Sequence, residues 1–248
     1  MAGNSTEIFQ RVEKKYLLSQ KQYQKLQEKM NPYMQVDDYG LSTICNVYYD
    51  TQDFDLVRRS NEKPVYKEKL RLRSYGVPDE TDKTFVEIKK KWKGVVYKRR
   101  IELPLKEARN YLEHGIVPTS PVNPQIRKEI DYFLRLYRPV PKMYIAYDRI
   151  AMYGKEDESI RITFDFHIRS REEDVDLSMG DAGRLLMKND EVLMEIKVGG
   201  AYPLWLADML CEMEIYPNTF SKYGKIYCNG LTAETQHEKQ EEKICLPA

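Results

Sequence analysis

The sequence predicts an α+β fold in which an antiparallel sheet closes into a barrel and the helices pack outside it. Three observations point there. Six strand-like stretches each gather charged residues on one face. Their opposite faces are only moderately apolar, and Tyr48, Tyr97 and Tyr147 sit among them. Helical patterns punctuate the strands and supply amphipathic partners. A closed sheet with helices outside turns its apolar residues outward and can carry polar ones inward. Inward Lys and Arg would then need an anion to offset their desolvation.

Along the chain, Phe9 to Leu18 reads as a strand, and Ser19 as the N-cap of a helix reaching about Met30, with Tyr23, Leu26 and Met30 buried. Leu41 to Tyr49 is rich in aromatic and β-branched residues and reads as a strand, followed by turn or cap residues at Asp50, Thr51 and Asp53. Three more strands are expected over Val65 to Ser74, Thr84 to Lys91 and Val95 to Leu103, the last two joined by a Trp92-Lys93-Gly94 turn. Pro104 introduces a short helix from Leu105 to about Leu112, and Gln125 to Tyr137 forms a stronger one ended by Pro139. Met143 to Ile150, Ser159 to Phe166 and Val192 to Val198 are further strands. A helix begins after Pro203, and a small helical segment follows around Phe220 to Tyr227. No internal repeat is found.

The charged faces follow from the two-residue period of a strand. Lys67, Lys69, Arg71 and Arg73 share one face; Glu87, Lys89 and Lys91 share another; Lys98, Arg100 and Glu102 a third. Arg161, Thr163 and Asp165 lie together, as do Glu195 and Lys197, and Arg11, Glu13 and Lys15. Period alone leaves two readings open: solvated sheet faces, or an enclosed site where bases meet phosphate oxygens and carboxylates hold a divalent metal.

Composition narrows the function. Forty Lys and Arg face 39 Asp and Glu, a net charge of +1, whereas a duplex-coating protein is basic throughout. The bases are bunched instead: eight of them lie between Lys83 and Arg100 with Glu87 the sole acid, while acids collect at 156–158 and 172–176. RNA binding through the aromatic strands ranks below the phosphate reading, and no nucleic-acid partner is expected. The start of the chain lacks a secretory pattern and no apolar run is long enough to span a membrane, so a cytoplasmic protein with free thiols is expected. The scattered Cys and His show no zinc spacing, and no nucleophile has a base in register.

Arg11-Val-Glu-Lys-Lys-Tyr16, Tyr48-Tyr-Asp-Thr-Gln-Asp53, Lys69-Leu-Arg-Leu-Arg73, Phe85-Val-Glu-Ile-Lys89, Arg161-Ile-Thr-Phe-Asp165, Glu195-Ile-Lys197 and Phe220-Ser-Lys-Tyr223 together resemble the VTC (vacuolar transporter chaperone) domain. This is the polyphosphate polymerase branch of the triphosphate tunnel, or CYTH-like, superfamily. The resemblance implies a triphosphate tunnel domain over 1–230 with a polar C-terminal tail over 231–248, of the stand-alone prokaryotic type. It implies transfer of the terminal phosphate of ATP to a polyphosphate chain with Mn2+ or Mg2+. An inorganic triphosphatase or a non-enzymatic polyphosphate-binding module are the alternatives. Protein partners are not indicated.

Carried over by motif, Lys15, Arg71, Arg73, Lys89, Arg161, Lys197 and Lys222 would be the catalytic, phosphate-facing bases. Lys98, Arg100, Arg169 and Ser221 would add phosphate contacts. Glu195 would be the metal ligand, with Glu87 and Glu13 orienting bases or metal-bound waters. Two departures stand out. Arg11 replaces the first glutamate of the superfamily's opening motif, and Thr219 stands where the polymerases carry a lysine before Phe-Ser-Lys.

Overall fold

A computed structural model describes residues 12–93, 95–188 and 190–230. Arg11, Gly94 of the expected turn and the expected tail over 231–248 lie outside the described residues. Nine strands and six helices alternate: β1 (Val12–Ser19), α1 (Gln20–Met30), β2 (Met34–Asp50), α2 (Asp55–Asn61), β3 (Tyr66–Tyr75), β4 (Lys83–Trp92), β5 (Val95–Pro104), α3 (Leu105–His114), α4 (Pro124–Tyr137), β6 (Val140–Gly154), β7 (Arg161–Arg171), β8 (Arg184–Leu185), β9 (Glu191–Val198), α5 (Leu204–Glu212) and α6 (222–230).

The α+β class holds, but the expected barrel does not form. The strand order is β1-β9-β7-β6-β2-β3-β4-β5, with β8 paired to β7, so the sheet has two ends and is not closed. The expectation of closure rested on the charge of one strand face, which seemed to need enclosure. The charges are instead compensated locally, by ion pairs between neighbouring strands (below), and that compensation does not require a closed sheet.

The chain forms two compact units, and β2, β6 and β7 contribute residues to both. In the first unit, β1 and β7 both pair antiparallel with β9. Tyr16 and Leu18, Ile162 and Phe164, and Val192, Met194, Ile196 and Val198 alternate onto one buried face. Against it pack Tyr23, Leu26 and Met30 of α1 and Leu206, Met209 and Leu210 of α5. Helix α1 starts where the sequence places it. The Ser19 hydroxyl accepts from Gln22 N at 3.2 Å, and the Gln22 side chain accepts from Ser19 N at 3.0 Å, which satisfies donors at both sides of the first turn.

In the second unit, β2, β3, β4 and β5 form an antiparallel ladder. Cys45, Val47 and Tyr49, Leu70 and Leu72, Val86 and Ile88, and Ile101 and Leu103 build its buried apolar face. Helices α3 and α4 cover that face with Ala108, Tyr111, Leu112, Ile130 and Phe133. Asn123 caps α4 by accepting from Gln125 N and Ile126 N, with Pro124 at its first turn. Gly115 ends α3 at φ 67°, a left-handed position where a side chain would be strained.

Helix α2 is the element that sequence pattern does not reveal. Phe54 before it is left-handed at φ 58° and offers no side-chain cap, and the Thr51 hydroxyl accepts from Asp55 N at 2.8 Å instead. Asp50, fully buried, reaches over from the end of β2 and accepts from Leu56 N at 2.9 Å and Val57 N at 3.0 Å, as well as from Thr51 N at 2.8 Å. Tyr223 of α6 donates its hydroxyl to the same carboxylate at 2.9 Å. Four donors on one carboxylate make Asp50 the anchor of this corner. Asp50→Asn should therefore cost about 2 kcal/mol or more, because the amide turns a donor toward backbone N–H groups left buried without an acceptor. Tyr223→Phe should cost about 1 kcal/mol. Urea unfolding of both variants checks the ranking.

Candidate functional site

The polar faces of the two units carry the expected site residues. In the second unit, antiparallel register sets Arg73 opposite Asn46 and Phe85, Arg71 opposite Tyr48 and Glu87, Lys69 opposite Lys89, Lys89 opposite Lys98, and Glu87 opposite Arg100. The alternation that buries Leu70, Leu72, Val86 and Ile88 on one side forces these residues together on the other.

Glu87 is the hub of this face, with 1% of its surface exposed. Arg71 donates through Nε to its Oε2 at 2.8 Å, and Nη2 lies 2.6 Å from the same oxygen. Arg73 Nε stands 3.8 Å away, and Lys98 Nζ is 2.5 Å from Oε1 in an ion pair rather than an aligned hydrogen bond. Burial pushes the Glu87 carboxyl up, but Arg71, Arg73 and Lys98 overcome it and hold it at about 2. Burial lowers Lys98 and its Arg neighbours add to this; Glu87 opposes, and the ammonium settles at about 8.

Further contacts fix the two arginines. Arg73 Nε donates to Asn46 Oδ1 at 2.9 Å, and Asn46 Nδ2 donates to Ile145 O at 3.0 Å. Arg71 Nη1 donates to the Tyr48 hydroxyl at 3.1 Å. Burial raises the Tyr48 phenol, yet Arg71, Arg73 and Lys222 outweigh it and bring it below its usual value. Tyr48 stacks on Tyr223 with ring centroids 5.0 Å apart. Through that stack and the Asp50 bond, the Phe220–Tyr223 segment meets this face. Lys69 Nζ donates to Ser221 Oγ at 3.2 Å, which in turn accepts from Gly224 N at the start of α6. Arg100 lies over the Phe85 ring, 4.7 Å from its centroid.

In the first unit, Glu195 of β9 lies between two lysines, with Lys197 Nζ at 2.5 Å from Oε1 and Lys15 Nζ at 3.8 Å from Oε2. Lys15 is opposite Glu195 across β1 and β9, Glu13 is opposite Lys197, and on β7 Arg161 is opposite Lys197 and Thr163 opposite Glu195. Glu195 is 8% exposed; Glu13 and Arg161 are exposed. Asp165, fully buried, takes a two-pronged bond from Arg149 of β6, Nε at 2.6 Å and Nη2 at 2.9 Å. Burial works against the Arg149 charge, but Tyr147, Asp165 and Glu195 hold it firmly protonated.

The second unit thus brings together Lys69, Arg71, Arg73, Glu87, Lys89, Lys98, Arg100, Ser221 and Lys222. The first brings together Glu13, Lys15, Arg161, Glu195 and Lys197. Arg169 is placed differently. Its Nε and Nη2 donate to the Asp181 carbonyl and carboxylate, both at 2.6 Å, and its charge acts on Cys45, a residue of the apolar face. Arg149, Asn46 and Tyr223 were not among the expected site residues. Arg149 is legible only as a residue two after Tyr147 on a strand, a weak signal until Asp165 is seen opposite. Among the described residues, no three His, Cys, Asp or Glu side chains are grouped to hold a metal ion, and no helix is long and apolar enough to cross a membrane.

An antiparallel sheet with one apolar face under helices and one face of paired bases and carboxylates defines an α+β class of protein with a charged sheet face. The chain belongs to the VTC domain family, whose pattern matches residues 10–230. It is 30% identical over 164 residues to vacuolar transporter chaperone complex subunit 4 of Trypanosoma cruzi, an alignment that covers 55% of this chain and 20% of that protein. The chain thus spans about a fifth of that relative's length. Its fold is similar to that of a candidate adenylate cyclase from Bacillus halodurans (TM-score 0.52, 14% identity, 85% of this chain and 93% of that one). It is also similar to a candidate adenylyl cyclase from Hippeastrum described as having a dominant triphosphatase activity (TM-score 0.50, 13% identity, 88% and 96%). These two likenesses are of fold, and the sheet of this chain is open.

Two outcomes follow from the geometry. The folded Glu87 carboxyl, at about 2, lies below its unfolded value near 4.5, so its contribution is complete above about pH 4.5 and is lost as the pH falls toward 2. Glu87→Gln should lose about 3 kcal/mol or more at pH 7, since three bases lose their buried counter-charge. The gap from wild type in urea unfolding should narrow below pH 4.5. For Lys98 the charged form attracts anions and is lost as the pH rises through about 8. Lys98→Arg stays charged, so its tripolyphosphate affinity should exceed that of wild type increasingly between pH 8 and 10, as read by calorimetric titration.

Proposed function

We propose that this chain is a phosphotransferase that moves the terminal phosphoryl group of ATP onto a polyphosphate chain, with Mn2+ or Mg2+ as its cofactor. The observation that carries the reading is the Glu87 cluster. A buried carboxylate that fixes Arg71, Arg73 and Lys98, beside Lys69, Lys89 and Lys222, presents oriented positive charge where a folded protein would otherwise avoid it. A cytoplasmic setting, where ATP is available, belongs to the same reading.

The reaction asks little covalent chemistry of the protein. A terminal phosphate oxygen of the acceptor attacks the γ-phosphorus of ATP, the new P–O bond forms, the β–γ bridging bond breaks, and ADP leaves with its electron pair. The acceptor oxygen is already ionised at neutral pH, so no general base is required. The bases orient donor and acceptor and spread the charge on the equatorial oxygens. Arg71 and Arg73, braced by Glu87, Tyr48 and Asn46, suit fixed two-pronged contacts; Lys69, Lys89 and Lys222 suit adjustable ones.

In this reading the metal would be held in the first unit. Glu195, with Glu13 on the neighbouring strand, offers the one or two carboxylates that a hard divalent ion takes when substrate phosphates complete its shell. Glu87 does not fit, since its oxygens already neutralise three bases. When bound, the ion would polarise a phosphate oxygen that meets it at Glu195.

Water in place of the acceptor chain would make the same residues a triphosphatase, and the Hippeastrum protein described by that activity keeps this second reading in view. Product analysis decides. Incubation with ATP and Mn2+ should release ADP and build an acid-labile polymer degraded by an exopolyphosphatase, faster when short polyphosphate is added as primer. Orthophosphate alone, with primer inhibiting, would assign the chain to the hydrolases; binding without turnover would make it a binding module. Glu195→Gln should abolish most turnover while leaving tripolyphosphate affinity within about tenfold, about 1.4 kcal/mol. Thr219→Lys should lengthen or tighten the retained product without changing the reaction type.

A further inference from the structure

The first unit contains a polar atom that its own fold leaves unsatisfied. Thr163 lies mid-strand on β7, between Arg161 and Asp165 on the charged face, while its neighbours Ile162 and Phe164 turn to the apolar cluster. Its Oγ1 is shielded from solvent and has no hydrogen-bond partner. Burying a hydroxyl without a partner is costly, and valine would fill the same volume without that cost. Packing therefore does not account for a hydroxyl here.

The surroundings indicate what it meets. The two carboxylates nearest along the face are drawn to cations. Glu195, directly across on β9, has Lys197 at 2.5 Å and Lys15 at 3.8 Å, and Asp165 is clamped by both prongs of Arg149. Neither accepts from Thr163. With Arg161 two residues away and Lys197 opposite it, the hydroxyl stands among bases that attract anions, and a hydroxyl proton is the complementary donor to a phosphoryl oxygen.

We propose that Thr163 is a phosphate-contacting residue: its hydroxyl donates to a non-bridging oxygen of a bound triphosphate or polyphosphate. This inference rests on the phosphate-binding reading above and adds to it a neutral donor that discriminates an oxyanion from a simple counter-ion. A lysine donates to chloride or carboxylate with little distinction, whereas a fixed hydroxyl favours an acceptor oxygen at one position.

Three proteins are compared without metal: wild type, Thr163→Val and Thr163→Ser, each titrated with tripolyphosphate by calorimetry and melted with and without it. Thr163→Val is expected to bind about tenfold or more weakly, the loss of one hydrogen bond to a charged group, and Thr163→Ser within about twofold of wild type. Free of ligand, Thr163→Val should melt at or above wild type, because the orphan hydroxyl is gone. Undiminished binding by Thr163→Val would overturn this inference alone. So would a ligand-free melting temperature several degrees lower, which would reveal an internal partner such as a buried water. Failure of wild type itself to bind tripolyphosphate would overturn the functional reading and this inference with it.

Discussion

A carboxylate with 1% of its surface exposed cannot remain ionised without close compensation, and at Glu87 that compensation organises a whole sheet face. Arg71, Arg73 and Lys98 each give it a contact from a different position on β3 and β5. Their stems and planes are fixed by that shared partner, and each arginine has a second hold, on Tyr48 or Asn46. Three bases around one acid leave an excess of positive charge, and Lys69 and Lys89 alongside increase it. The apolar side of the same strands makes this possible, because Leu70, Leu72, Val86 and Ile88 lock the register that sets Arg71 opposite Glu87.

The first unit solves the same problem with different residues. Glu195 takes two lysines, and Asp165 takes one arginine through two parallel bonds. The difference is chemical. An arginine bound through both prongs is committed to its carboxylate, while a lysine at 3.8 Å gives up its contact at small cost when an oxyanion or a divalent ion arrives. The second unit is thus built as a rigid basic surface. In the first, Glu195 is held by two lysines, one close at 2.5 Å and one looser at 3.8 Å.

Much of this was legible in the sequence, because strand alternation is a strong physical signal. Lys69-Leu-Arg-Leu-Arg73 and Phe85-Val-Glu-Ile-Lys89 state both the buried face and the charged one, and Ser19 with Gln22 states where α1 begins. Three things were not legible, each for a separate reason. Sheet closure is decided by pairing at the two ends of the strand order, and alternation along a strand says nothing about its edges; charge on one face suggested a barrel, yet ion pairing between strands satisfies it in an open sheet. Arg169 sits two residues past His167, whose φ of 44° breaks the regular strand, so counting faces along β7 fails there. Arg149 and Asp165 are 16 residues apart and meet only through tertiary structure.

Asp50 illustrates how far a residue's role can lie from its local pattern. Beside Thr51 and Asp53 it reads as a turn former, and it does accept from Thr51 N. Its larger effect is at a distance, capping α2 through Leu56 N and Val57 N and receiving the Tyr223 hydroxyl. Tyr223, so held, stacks on Tyr48, which holds Arg71, which holds Glu87. Ser221 and Lys222 belong to the segment that this chain of contacts anchors, so one buried carboxylate fixes where a base near the end of the sequence meets a face built from its middle. The charge of Lys222 joins those of Arg71 and Arg73 in lowering the Tyr48 phenol. A loss at Asp50 would consequently release the Ser221–Lys222 segment from this face, without removing a single positive charge.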